Sequence, residues 1–254
     1  YYLVVESEQY DDYAANNDPS CILTLPFNNH GKGSGPARNW VWQHSLDNGF
    51  DRHWILDDNI RAFYRLHENK RSYLYSGAGF KACEDFTDRF TNVGLSAMQY
   101  SFFAVEGQSS TRDPVALNRR VMSCILVNNH LPLKWRGKYN EDVDLSIRCL
   151  KEGWCTLLFY AFLCGKLETQ SIKGGNTDEI YGQGTLAKSK MLVNMHPDIV
   201  KLVWRYDRWH HHADFTKFKD EPRLKPRPDL KLKKGAVNNY GLVKRQAPSY
   251  PDDQ

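Results

Sequence analysis

Gly35-Pro36-Ala37-Arg38-Asn39 and, after a helix-length interval, His53-Trp54-Ile55-Leu56-Asp57-Asp58-Asn59 bound the stretch whose reading decides the fold. A glycine-bearing loop, Gly31-Lys32-Gly33-Ser34-Gly35, opens it. The residues that follow predict a short helix carrying Trp40, Val41 and Leu46 and stopped at Gly49. His53 to Leu56 then reads as a strand that runs straight into two carboxylates and an amide. Adjacent like charges repel, and burying them is costly unless a cation or hydrogen-bond donors compensate. A divalent metal carrying a diphosphate is one such compensation. Open α/β sheets place their ligands at the carboxyl ends of strands, which is where this acidic pair falls. The plainer reading is an acidic turn, since Asp and Asn are favoured turn residues.

Outward from this stretch, the whole chain fits one large α/β domain. Its 254 residues suffice for a sizeable core, and 41% hydrophobic content marks a globular chain. No apolar run approaches the roughly 20 residues that span a bilayer. Tyr1-Tyr2-Leu3-Val4-Val5 lacks the basic start of a signal peptide. A net charge of +4 permits a polyanionic partner without demanding one. Cysteines stand singly at 21, 83, 124, 149, 155 and 164, with no C-x-x-C pair. They read as reduced core residues of a cytoplasmic protein.

Tyr2 to Val5 predicts a strand ending at Glu6, and Cys21 to Leu25 another, stopped by Pro26. Residues 60 to 80 are mixed basic and aromatic and carry no clear period. Residues 83 to 98 predict a helix, with Phe86, Phe90, Val93 and Met98 on one face. Gln99 to Val105 and Arg120 to Val127 read as strands, as does Trp154 to Tyr160. Between them lies a second informative stretch, Tyr139-Asn140-Glu141-Asp142-Val143-Asp144-Leu145. Asn140 suits a helix N-cap, and Val143, Ile147 and Leu150 turn inward before Gly153 ends the helix. Acids in a first helical turn are favoured by the helix dipole alone. A general base needs proximity and a suitable pKa, and a second acid beside it raises that pKa.

Lys173-Gly174-Gly175-Asn176 suits backbone approach to phosphate, a lid, or a simple turn. Residues 185 to 209 predict a helix interrupted at His196-Pro197. Within 204 to 212, Trp204, Arg205, Arg208, Trp209 and a run of three histidines interleave rings with cations. That composition fits a nucleic-acid surface or a packed helix with a basic edge. Lys217 to Lys234 reads as an extended basic arm.

Ala37-Arg38-Asn39, Leu56-Asp57-Asp58-Asn59-Ile60, Tyr139 to Leu145 with Gly153-Trp154-Cys155-Thr156, Lys173 to Asn176, and His196-Pro197-Asp198-Ile199-Val200 followed by Arg208-Trp209-His210-His211 resemble one family in order and spacing. It is the TET/JBP-associated glycosyltransferase family, related to the base J glucosyltransferase. The resemblance implies a GT-A-like α/β fold, a Rossmann-type mixed sheet flanked by helices, in a single domain over 1–215. A basic, Pro-rich extension over 216–254 would pack on it. Tyr2 to Val5 would be the second strand of that fold, with the first preceding Tyr1. It implies a UDP-sugar donor and Mn2+ or Mg2+, with Asp58 as metal ligand and His196 as a further candidate. Glu6, Arg38, Asn39, Asp57 and Lys173 to Asn176 would bind the nucleotide sugar. Asp142, with Glu141 as second choice, would be the base. Trp204, Arg205, Arg208 and Trp209 would meet DNA carrying a hydroxymethylated pyrimidine. A phage origin, a monomer and no membrane partner complete the expectation.

Overall fold

A computed structural model describes residues 1–28, 31–104, 113–167 and 185–230. Lys173 to Asn176, and the end of the basic arm with Lys231, Lys233 and Lys234, lie outside the described residues.

Near the start, β1 (Leu3–Val5) pairs in parallel with β2 (Ile22–Thr24), and α1 (Tyr10–Ala14) connects them. Pro36 in the first turn pre-sets the backbone for α2 (Gly35–Asp47), and Gly49, at φ 76°, stops it. The helix leads into β3 (Arg52–Leu56), which delivers Asp57. Residues 60 to 80 resolve into a hairpin, β4 (Ile60–His67) and β5 (Lys70–Leu74). Glu68 and Asn69 both take positive φ there, the geometry of a tight two-residue turn.

The expected helix over 83–98 is corrected by the structure. Its helix, α3 (Ala78–Thr87), lies earlier, and β6 (Val93–Tyr100) begins inside the expected span. A helical spacing of phenylalanines runs on past the helix because Phe86 and Phe90 pack as a pair at its end. Gly94 explains the strand: a Cβ there would stand 2.7 Å from the Cys149 sulfur, so the backbone lies close under a neighbouring helix. The strand expected over 99–105 is therefore a continuation of β6 followed by a single 3-10 turn at Ser101–Phe103. Then come β7 (Val115–Leu117), β8 (Cys124–Asn128), α4 (Glu141–Lys151) and the long β9 (Cys155–Lys166).

Seven strands form one mixed sheet in the order β3-β8-β6-β9-β4-β5, with β7 also paired to β9. Only β6 and β9 run parallel within it; the other pairs are antiparallel. Trp42, Leu95, Ile125, Leu145 and Cys149 form the core on the α2 and α4 face. Met98, Cys124, Phe159 and Cys164 pack with α3 on the other. This single-domain α/β arrangement, a mixed sheet flanked by helices, agrees with a GT-A-like fold.

Helix α4 is buried on two sides. Leu145 and Cys149 face the sheet, while Val143, Ile147 and Leu150 face a C-terminal layer. That layer begins with α5 (Leu186–Met195), which stops at His196-Pro197. The helical expectation fails beyond this point. β10 (Val200–Arg205) and β11 (Arg208–Ala213) form an antiparallel hairpin instead. Tyr206 and Asp207, at φ 51° and 54°, close it in two residues, and Trp204 pairs with Trp209 across the ladder. Pro197 breaks the helix, and the valines and aromatics beyond it suit a pleated strand.

After Phe215 and Phe218 fill the same core, residues 218 to 227 run past the end of β7 and the starts of β6 and β9. Buried Asn118 donates to the carbonyls of Phe218 and Pro222 at 2.9 and 2.8 Å. Asn92 donates to Arg223 O and accepts from Lys225 N, each at 2.8 Å. Arg227 N donates to Arg89 O at 2.8 Å. Among the described residues, no helix is long and apolar enough to cross a membrane.

Candidate active site

Arg38, one turn into α2, joins the two acidic motifs. Its Nη2 donates to Asp57 Oδ1 at 2.9 Å, and Nη1 lies 3.3 Å from Glu141 Oε1 as an ion pair. The guanidinium also lies over the Trp135 ring, 4.8 Å from its centre. Asn39 holds that ring in place. Its Nδ2 donates to Trp135 O and its Oδ1 accepts from Trp135 N, both at 2.9 Å. Ser34 of the glycine loop donates to Glu141 Oε1 at 2.6 Å. Gly33, at φ 75°, passes so close to Lys138 O that a Cβ would collide with it.

The far oxygen of Asp57 is equally occupied. Ser123 Oγ donates to Oδ2 at 2.6 Å and Lys166 Nζ at 2.8 Å. Tyr100, at the end of β6, hydrogen-bonds Ser123, and burial pushes its hydroxyl up to about 12, so it stays neutral. Burial works against the Asp57 charge. Arg38, Lys166 and Ser123 outweigh it and hold the carboxyl below its ordinary range. Ser34, Tyr100, Ser123 and Lys166 are site residues that the sequence did not single out.

Asp142 is placed differently. It stands in the first turn of α4, and among the described residues its Oδ1 accepts only from the Val143 backbone, at 2.8 Å. Burial, then the neighbouring Glu141, pushes its pKa up to about 6, with Arg38 opposing. A carboxylate so placed is ionised at neutral pH yet strong enough to take a proton. Asn140 sits at the N-cap position in a left-handed conformation, φ 53°, and does not cap with its side chain. It instead donates to Lys188 O at 2.9 Å, tying α4 to α5.

Asp144, two residues on in the same first turn, is fully buried and closes a separate network. It accepts from Arg136, Arg148 and His196 Nε2, the last at 2.8 Å. His196, named above as a further metal candidate, is 2% exposed, with Nε2 turned to Asp144.

Among the described residues, no group of three or more His, Cys, Asp or Glu converges to hold a metal. Of the first motif, Asp57 accepts three hydrogen bonds, Asp58 is exposed, and Asn59 Oδ1 is buried with no hydrogen-bond partner among the described residues. The Asp58 carboxylate and the Asn59 amide oxygen are of the hard donor type that Mg2+ and Mn2+ take. Glu6 accepts the Gln9 backbone N–H, capping the turn after β1.

The hairpin forms a second feature. Trp204 and Trp209 meet edge to face, 57% and 37% exposed. Arg205 and Arg208 face each other across the ladder, and like charges so placed destabilise a hairpin. A cavity of about 190 Å3 lies between this hairpin and α5, lined in part by Lys188, Arg208, Trp209 and His211. Burial, then Lys188 and Arg120, brings the His211 pKa down to about 4. The histidine stays neutral within a field of positive charge.

The family model for the TET-associated glycosyltransferases matches residues 1–175. The chain belongs to this family. No curated protein and no solved structure matches it. The matched span of this TET-associated glycosyltransferase holds every contact among Ser34, Arg38, Asp57, Ser123, Glu141 and Lys166. α5 and the hairpin lie beyond it.

Proposed function

We propose that this glycosyltransferase moves a sugar from a nucleoside diphosphate, UDP in the simplest case, to the hydroxymethyl oxygen of a modified pyrimidine in DNA. The observation that carries the reading is Asp142, a part-buried carboxylate whose pKa is pushed up to about 6 beside the Arg38-bridged acids. The acceptor oxygen attacks the anomeric carbon as its proton passes to Asp142. The bond from that carbon to the diphosphate oxygen breaks, and the nucleoside diphosphate leaves. A single displacement of this kind inverts the anomeric centre.

Asp58, with Asn59, would hold a divalent metal, whose contribution when bound is to neutralise charge on the leaving diphosphate. Arg38 and Lys166 fix Asp57 and keep the acidic cluster from repelling itself apart. The Lys173 to Asn176 loop remains a candidate for the phosphates. DNA would meet the hairpin, where a phosphate relieves the Arg205–Arg208 opposition.

The test is direct. DNA containing 5-hydroxymethylcytosine or 5-hydroxymethyluracil is incubated with a panel of nucleotide sugars and Mn2+ or Mg2+, digested, and its nucleosides weighed. A hexose-mass increment on the modified base is the expected result. Transfer to no hydroxymethylated base from any donor sinks the reading.

A further inference from the structure

Beside the acidic cluster lies a cavity of about 340 Å3, lined by Gln99, Phe103, Arg120, Met122, Leu158 and Tyr160. We propose that this cavity receives the pyrimidine ring of the acceptor nucleotide, turned out of its strand, with Gln99 reading the ring edge and Phe103 covering its face. The inference rests on the DNA-glycosylating reading above and places the base there, away from the Trp204–Trp209 pair.

The volume is at the small end of the roughly 300–1,000 Å3 of ligand pockets, a fit for one ring and its sugar. Leu158, Met122 and Tyr160 give apolar walls, while Phe103 is 50% exposed beside the stacked Tyr100 and Phe102. An aromatic face open to solvent at a cavity mouth suits base stacking. Gln99 is almost buried, and its amide is oriented: Oε1 accepts from Tyr100 N at 2.8 Å. Among the described residues, Nε2 makes only a long contact of 3.4 Å to the Tyr160 hydroxyl. It retains donor capacity for a pyrimidine carbonyl. Arg120 supplies a cation for the adjoining phosphate.

Location decides between acceptor and donor. Val121 N donates to Ser146 Oγ at 3.2 Å, and Ser146 Oγ donates to Asp142 O at 2.7 Å. Two hydrogen bonds thus link the cavity wall to the turn carrying the base. Gln99 directly precedes Tyr100 on β6, so the two side chains leave the strand on opposite faces, Gln99 to the cavity and Tyr100 to Ser123 of the Asp57 cluster.

The experiment compares wild type with Phe103→Ala and Gln99→Met, the first at an exposed site and the second near-isosteric. Transfer to hydroxymethylated DNA is measured together with calorimetric affinity for the nucleoside diphosphate of the working donor. The expected result is a rise of about tenfold or more in KM for DNA, the scale of a lost base stack, with diphosphate affinity unchanged. Wild-type KM in both variants overturns the pocket while leaving the function standing. A fall in diphosphate affinity instead assigns the cavity to the donor's own pyrimidine and also overturns it. A wild type inert on every hydroxymethylated DNA removes the functional reading and the pocket together.

Discussion

Lys166 Nζ sits 2.8 Å from Asp57 Oδ2, so the first acid of the Asp-Asp-Asn motif is neutralised by the chain itself. Asp58 carries the exposed charge. Asp58→Ala is therefore expected to lose metal-stimulated UDP binding with little change in melting temperature. Asp57→Ala, which strands Arg38 and Lys166 in a part-buried site, is expected to lower stability as well. Calorimetry with UDP, with and without Mn2+, and thermal melts separate the two. Metal-independent UDP binding by wild type would remove Asp58 from the metal role.

Asp142→Asn should keep donor affinity while turnover falls by a factor on the order of 10² or more, the scale for losing a general base. The wild-type rate should drop below about pH 6, where Asp142 is protonated. The same raised pKa means the folded chain holds this proton more tightly than the unfolded one. Its contribution to stability therefore declines as pH rises from about 4 to about 6. Asp142→Asn should then melt at or above wild type at pH 7.5, with the gap closing at pH 5. A variant that melts lower at pH 7.5 assigns Asp142 a structural role.

Asp144 predicts the opposite behaviour. Burial raises its pKa, but His196, Arg136 and Arg148 outweigh burial and hold it below its ordinary range. Its stabilisation is present above that ordinary range and lost as pH falls below it. Asp144→Ala removes one side of a buried ionic network and is expected to cost about 3–5 kcal/mol in urea unfolding. A loss under about 1 kcal/mol would show the network to be dispensable.

The hairpin predicts a salt signature. If Arg205 and Arg208 contact phosphates, replacing both with Ala should flatten the log–log salt dependence of DNA affinity by about 2. An unchanged slope moves the DNA elsewhere on the surface.

The sequence displayed those parts of the site whose chemistry is written in neighbouring residues. Arg38, Asp57 and the Glu141-Asp142 pair each stand in a short pattern, and the structure brings them together. Lys166 and Ser123 were illegible because each merely ends or precedes an apolar strand. Nothing local says that β9 will deliver its last residue to the turn after β3. The partner of His196 was illegible for a related reason, since only packing sets Asp144 against it. The hairpin was missed because valines and tryptophans spaced across a proline satisfy a helical period as readily as a pleated one.

The stitching of this cluster also orders events in time. Ser34 reaches Glu141 across 107 positions, and Asp57 reaches Lys166 across 109. Contacts so distant in sequence form late, after loop closure. During synthesis, Asp57 emerges long before the lysine that steadies it. A nascent chain still short of Lys166 has only Arg38 and Ser123 against this carboxylate, and the set is complete once β9 has been made and laid beside β6.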